Sequence, residues 1–186
     1  ANGPEHEPTL VYTRMLSGPM DFTPGVLSLS SQTGNALAST RAKQLGLYLA
    51  IYSPIQMAAD FIENLANYPK ELDFISKVPA DWAESKLIAG EVGEYAIFAR
   101  KDRNSASWYT GGVNDATARM VDLDLSFLEP GKSYRATIYK DGPDATYLTE
   151  ARHNIAYETK TVKAGDKLQV WLAPGGGFAA RLELVK

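Results

Sequence analysis

Residues 127–142 read FLEPGKSYRATIYKDG, and this stretch carries the pattern that decides the fold. The β-branched and aromatic side chains of residues 134–139 predict a strand. Pro130-Gly131 precedes that strand and Asp141-Gly142 follows it, and both pairs can adopt the backbone angles of a tight turn. The stretch therefore predicts one strand between two turns, which is typical of an antiparallel sheet.

The same pattern recurs through the second half of the chain. Further turn signals stand at Ala164-Gly165-Asp166 and at the glycine-rich run of residues 174–177. Strands at such regular spacing predict an antiparallel sandwich or barrel of about a hundred residues, a normal size for such a domain. The eight predicted strands are Ser85–Ala89, Tyr95–Lys101, Ser107–Thr110, Arg119–Leu125, Tyr134–Tyr139, Ile155–Val162, Leu168–Leu172 and Phe178–Leu184.

The first half has a helical pattern instead. Leu45, Tyr48, Leu49 and Tyr52 recur at helical spacing, and Arg41, Lys43 and Gln44 take the opposite face of the predicted helix. Nearly every residue from 45 to 52 is apolar, so more than one face of this helix needs cover. We therefore expect this helix to pack against a part of the protein outside the chain.

Two shorter helices are expected after it. Ser53, Pro54 and Gln56 form the pattern of a capping box, which predicts a second helix over residues 55–66. Residues 69–77 predict a third helix, and Pro79 ends it. Residues 1–32 contain four prolines and predict a stretch of loops.

Composition excludes several classes of protein. The chain has 186 residues, of which 45% are hydrophobic and 22% charged, with a net charge of -3, so it is an ordinary globular protein without a basic stripe for nucleic acid. It has no cysteine, and no apolar run is long enough to span a bilayer. Neither an initiator methionine nor a signal peptide is present, which leads us to expect a processed chain or a fragment.

Candidate site residues cluster near the first residues. Glu5, His6 and Glu7 stand together between Pro4 and Pro8. A glutamate in a rigid loop can act as a general acid, and a histidine can bind a substrate or a metal ion, but both residue types are also common as solvated surface groups. From the residues alone, both interpretations stay open.

Two further candidates lie elsewhere. Asp21, between Gly18-Pro19 and Pro24-Gly25, is either a substrate contact or an aspartate that caps a turn. Trp82, Trp108 and Trp171 could form a platform that stacks on a sugar, although a tryptophan on a strand of a sandwich is more often a core residue. Of the three, Trp108 is the most consistent with an exposed aromatic and with carbohydrate binding by the sandwich.

Several long stretches resemble one known family, glycoside hydrolase family 97, whose members are bacterial α-glucosidases and α-galactosidases. Residues 3–25 (GPEHEPTLVYTRMLSGPMDFTPG) resemble the end of its catalytic barrel, and residues 47–65 and 74–82 resemble the region that follows. Residues 90–115, 127–142 and 172–184 resemble its C-terminal β-sandwich. The match covers essentially the whole chain.

The resemblance implies an α+β fold in two parts. Residues 1–86 would be the C-terminal end of a (β/α)8 barrel, and residues 87–186 an antiparallel β-sandwich that buttresses it. The missing barrel would then cover the apolar helix at Leu45. If it is studied alone, we expect the chain to self-associate through the uncovered face of residues 45–52.

The resemblance also implies roles for the candidate residues. Glu5 is similar to a family glutamate that acts as general acid beside a bound calcium ion. His6 and Asp21 stay candidates from their residue types, for contact with an α-linked oligosaccharide. The second carboxyl group of the reaction would lie outside this chain, so we expect the chain to be inactive alone and to bind no calcium by itself. The implied location is periplasmic or otherwise extracytoplasmic. A carbohydrate-binding or purely structural sandwich is the alternative.

Overall fold

The computed structural model describes residues 2–31 and 33–185. The helices of the described residues lie before the sheet. They are α1 (His6–Tyr12), α2 (Arg41–Ala50), α3 (Ile62–Ala66) and α4 (Pro69–Lys77), with single 3₁₀ turns at Arg14–Ser17 and Glu150–His153. The third predicted helix is confirmed as α4, whose first residue is Pro69.

Eight strands follow, and all eight predicted strands are confirmed. They are β1 (Trp82–Glu91), β2 (Tyr95–Asp102), β3 (Trp108–Asn114), β4 (Arg119–Asp124), β5 (Ser133–Asp141), β6 (Ile155–Lys163), β7 (Lys167–Leu172) and β8 (Gly177–Leu184). Six strands form one sheet in the order β1-β2-β3-β8-β5-β6, and β4 pairs with β7 in a second sheet. All these pairings are antiparallel, so the fold is α+β with a β-sandwich, as expected.

The sandwich core lies between the two sheets. On β4 and β7 the buried residues alternate with exposed ones, as the period of a strand requires. Leu123 and Val170 pack from the small sheet against Ile138 and Ala180 of the large sheet. Trp108 belongs to this core, where its ring lies 5.0 Å from that of Phe127.

Helix α2 covers the opposite face of the large sheet. Every residue from Ala42 to Ala50 is buried, and Leu45 and Leu49 pack in one cluster with Tyr109 of β3 and Ala179 of β8. The expectation that this helix needs a partner outside the chain is therefore wrong. Its partner is the large sheet, in which Tyr109 lies 60 positions beyond Leu49, and no local pattern reveals a contact at such a distance.

The segment after α2 does not continue as a helix. The predicted helix over residues 55–66 is reduced to Ile62–Ala66. The Ser53 hydroxyl bonds to Ile55 in a local turn, and the amide of Ala59 donates to the carbonyl of Pro24. Because these groups find partners outside a helix, the capping-box pattern produces only a turn.

Candidate functional site

The segment with Glu5, His6 and Glu7 is the start of a helix and not a loop. Glu5 precedes the first turn of α1, and its carbonyl accepts hydrogen bonds from the amide and the hydroxyl of Thr9 at 3.0 and 2.8 Å. The side chains of Glu5 and His6 are exposed. Glu7 points toward the protein, and its side chain is 21% exposed. The prediction of loops over residues 1–32 is wrong here, because residues 6–12 can form a helix that packs its apolar side on the sheet.

The side chain of Lys43, on α2, contacts this segment. It is 0% exposed, and its Nζ lies 2.9 Å from Oε2 of Glu7 and 2.7 Å from the carbonyl oxygen of Pro4. The third contact of Nζ is the carbonyl oxygen of Asn114 on β3, at 3.2 Å. Burial lowers the pKa of Lys43, and the neighbouring carboxylate of Glu7 opposes that shift. One ammonium group therefore joins the segment around Glu5 to the sandwich.

The pattern of the sequence places Lys43 and Gln44 on a polar face of α2, and the structure shows both to be buried. Gln44 accepts hydrogen bonds from the amides of Gly25 and Val26. Both side chains turn to segments that lie far away in sequence. The helical pattern does not show that they are buried, because a polar residue that faces another segment has the same spacing as one that faces water.

Asp21 lies apart from Glu5 and His6. It is exposed and lines a shallow groove of about 450 Å³ together with Met20, Ser53, Ile55 and Met57. Neither Glu5 nor His6 lines this groove. The described residues thus bring Glu5 and His6 together on one turn but do not place Asp21 in the same cavity.

The donor set does not fit a calcium ion by itself. Within residues 2–31 and 33–185, no group of three or more histidine or acidic side chains could hold a metal ion. Calcium takes six to eight oxygen ligands, and the exposed carboxylate of Glu5 offers at most two of them. Further ligands would have to come from outside this chain.

The tryptophans do not form a binding surface. Trp108 is only 3% exposed and Trp82 only 7%, and Trp171 is partly buried. Of the two interpretations of Trp108, the core one is confirmed and the exposed one is wrong, because its strand lies in the middle of the large sheet with that face turned to the core.

The helices among the described residues are all too short or too polar to span a bilayer.

Curated relatives match most of this chain. A retaining alpha-galactosidase of Bacteroides thetaiotaomicron is 37% identical over 96% of this chain, and a probable retaining alpha-galactosidase of Streptomyces bingchenggensis is 32% identical over 96% of it. The aligned part is 27% and 26% of those proteins. The chain therefore spans about a quarter of the length of the relatives it matches.

A solved structure matches the fold closely. A glycoside hydrolase family 97 enzyme of Pseudoalteromonas sp. strain K8, in complex with panose, superposes on all of this chain with a TM-score of 0.94 and 43% identity over 29% of its own length. Another structure of that enzyme contains acarbose. Residues 81–183 match the family described as "Glycosyl-hydrolase 97 C-terminal, oligomerisation". The chain belongs to glycoside hydrolase family 97, and its β-sandwich is the C-terminal domain of that family.

Proposed function

We propose that this chain is the C-terminal part of an enzyme that hydrolyses α-glucosides or α-galactosides. Residues 1–86 complete its catalytic barrel, and residues 87–186 form the sandwich that supports it. The retaining alpha-galactosidases among the relatives and the panose complex of the Pseudoalteromonas enzyme support this substrate class. Panose is an α-linked oligosaccharide of glucose. Hydrolysis of α-glucosides and hydrolysis of α-galactosides are therefore both compatible with these relatives.

The observation that carries the proposal is the position of Glu5. Its side chain is exposed, while Lys43 binds the residues on both sides of it, Pro4 and Glu7. A general acid needs a carboxyl group that is open to the substrate on a backbone that does not move. Glu5 is exposed, and contacts from the buried Lys43 tie its segment to the sheet, so we assign to it the proton that the leaving oxygen receives. His6 on the same turn would contact the sugar.

The other carboxyl group of the reaction is proposed to lie in the preceding part of the enzyme. Glycoside hydrolysis needs two carboxyl groups at a defined separation. Asp21 does not line a cavity with Glu5, so its proposed role is a contact to a more distant sugar unit. A calcium ion beside Glu5 would take its remaining ligands from the same preceding part of the enzyme.

We also propose that the enzyme is periplasmic or otherwise extracytoplasmic.

Carbohydrate binding by the sandwich alone has less support. The proposed platform depended on an exposed Trp108, and this side chain is buried in the core. A supporting role agrees better with the structure, because α2 packs directly on β3 and β8.

A hybrid enzyme tests the proposed function. This chain would replace the matching 29% of the Pseudoalteromonas enzyme, and turnover of panose, p-nitrophenyl α-glucoside and p-nitrophenyl α-galactoside would be measured. In the hybrid, Glu5→Gln should lower turnover of panose by about 10²- to 10⁴-fold, the usual contribution of a general acid. The loss on nitrophenyl glycosides should be smaller, because nitrophenolate is a weak base that leaves without a proton.

Glu63→Gln is the matched control, since Glu63 is an exposed glutamate in the first turn of α3. It should leave all three rates unchanged. Equal rates for Glu5→Gln and Glu63→Gln would contradict the role of Glu5. Turnover by the 186-residue chain alone would contradict the second carboxyl group's position outside it.

A further inference from the structure

Lys43 is a buried cation with three oxygen atoms close to its Nζ. It donates hydrogen bonds to the carbonyls of Pro4 and Asn114, which lie on opposite sides of it. The carboxylate of Glu7 lies 2.9 Å away and forms an ion pair with it. A charge this deeply buried persists only when it is paired and hydrogen-bonded, and here the counter-charge is Glu7.

The sheet side of Lys43 is held rigidly. Thr40, which caps the start of α2, donates from its hydroxyl to Oδ1 of Asp141 at 2.6 Å. The other oxygen of Asp141 accepts from the amides of Ala173 and Gly177, both at 2.9 Å. The amide of Thr40 in turn donates to the carbonyl of Gly175. The start of α2, the end of β5 and the turn before β8 are therefore one bonded unit.

Residues 3–7 depend more on Lys43 for their polar contacts than the sheet does. Among the hydrogen bonds and ion pairs between described residues, those that join residues 3–7 to positions beyond α1 all end on its Nζ. Further along α1, the hydroxyl of Tyr12 donates to the carbonyl of Tyr95, and Val11 is buried against Leu47. The far end of α1 thus has its own hydrogen bond and apolar packing, while the end at Glu5 has the buried Pro4 and Pro8 and the contacts of Lys43.

We propose that Lys43 is a positioning residue that sets the place of the Glu5 carboxyl group by holding Pro4 and Glu7 against the sandwich. This inference rests on the proposed function of Glu5. It gives the sandwich a definite part in the reaction, because the same ammonium group also donates to the carbonyl of Asn114 on β3. Lys43 is buried, so in this proposal it acts through the carbonyl of Pro4 and the side chain of Glu7 and not by contact with the sugar.

The first experiment measures the hold on the segment in this chain. In Lys43→Met, hydrogen–deuterium exchange of the amides of residues 6–13 should become at least about tenfold faster, while the amides of β5 and β8 keep their protection. Gln44→Met is the matched control, because Gln44 is the neighbouring buried polar residue of α2 and holds Gly25 and Val26 instead. It should loosen residues 25–26 and leave residues 6–13 unchanged.

Glu7→Gln keeps the test decisive if Lys43→Met does not fold. Glu7 is partly exposed, and the amide oxygen of glutamine still offers an acceptor to the buried Nζ while the ion pair is lost. This variant should also speed exchange in residues 6–13, by a smaller factor. Unchanged exchange in both variants would overturn the proposal.

The second experiment separates positioning from stability in the hybrid enzyme. Lys43→Met should lower turnover of panose at least about tenfold more than turnover of p-nitrophenyl α-glucoside, the same dependence on the leaving group as in Glu5→Gln. Gln44→Met should change both rates by one common factor. An equal loss on both substrates in Lys43→Met would overturn the positioning role even if the segment is loosened.

Failure of the proposed function has a different signature. If Glu5→Gln in the hybrid behaves like Glu63→Gln, the role of Glu5 is wrong, and the positioning role of Lys43 falls with it. If Glu5→Gln shows the expected dependence on the leaving group and Lys43→Met does not, only the role of Lys43 is wrong.

Discussion

Asp141 is the buried acid at the centre of the bonded unit beneath Lys43. Burial raises its pKa from 3.8 to about 6, and hydrogen bonds from Thr40, Ala173 and Gly177 oppose part of that shift. The folded state therefore holds a proton on Asp141 at a pH where the unfolded chain has released it. Its contribution to stability is fully present below about pH 4 and decreases as the pH rises through about 6.

Asp141→Asn tests this titration. The amide has the shape of the carboxyl group, can accept from the two backbone amides and can donate to the Thr40 hydroxyl, but it does not titrate. Urea unfolding from pH 4 to 7 should show the free energy of unfolding of the unsubstituted chain falling relative to that of the variant as the pH rises. Asp144→Asn, at an exposed turn, should show a constant difference, and a constant difference for Asp141→Asn would refute the raised pKa.

At the scale of single residues, the sequence indicates the chemistry of a side chain better than it indicates its surroundings. Glu5 and His6 are exposed, as the proposed site would require, whereas Trp108 is buried and the burial of Lys43 has no signal in the sequence. The difference has a physical cause. A residue type reports its own chemistry, but its exposure depends on which distant segment packs over it.

At the scale of elements, α2 packs directly on the backbone of the large sheet. Gly46 faces β3, and a Cβ added there would lie 2.2 Å from the carbonyl oxygen of Gly112 and 2.8 Å from that of Phe178. These are backbone atoms of the two central strands, so they cannot turn away as a flexible side chain would. Gly46 is therefore needed in spite of the poor helix propensity of glycine.

Gly46→Ala gives a clear test of this contact. Helix propensity alone predicts a gain of about 1 kcal/mol in the free energy of unfolding, whereas overpacking predicts a loss of about 1–3 kcal/mol or more. We expect the loss, measured by chemical denaturation. Ser76→Ala, on an exposed position of α4, is the control and should change stability by less than about 0.5 kcal/mol. A more stable Gly46→Ala variant would show that α2 does not lie this close to β3.

At the scale of the whole molecule, the exposed apolar surface does not lie on residues 45–52, where the sequence predicted it. Residues 45–51 are covered by the chain's own sheet, but Ile55, Phe61 and Ile62 of the following segment are 72%, 67% and 81% exposed. Three large apolar side chains this exposed within eight residues are typical of a contact surface. In the proposed enzyme, the rest of the barrel would cover them.

The isolated chain should therefore self-associate through this segment. Sedimentation velocity should show association that weakens in a Phe61→Ser, Ile62→Ser double variant, because that change removes the exposed apolar area. Val92→Ser with Met120→Ser is the matched control on the sandwich, where both side chains are more than half exposed. If the control pair weakens association instead, the contact lies in residues 81–183, whose family description mentions oligomerisation.

The sequence by itself determined the eight strands, the helix α4 and the α+β class. Strands and turns are specified by neighbouring residues, through side-chain alternation and the backbone angles of Gly, Pro and Asp. The tertiary structure alone decided that α2 packs on β3 and β8, that Ser53 begins a turn and not a helix, and that Lys43 lies beneath Glu5. The positions of α2 and Lys43 depend on groups far apart in the chain, such as Lys43 and Asn114. The segment after Ser53 is likewise held by a distant group, because the amide of Ala59 donates to the carbonyl of Pro24. Local periodicity contains no information about which distant group meets which.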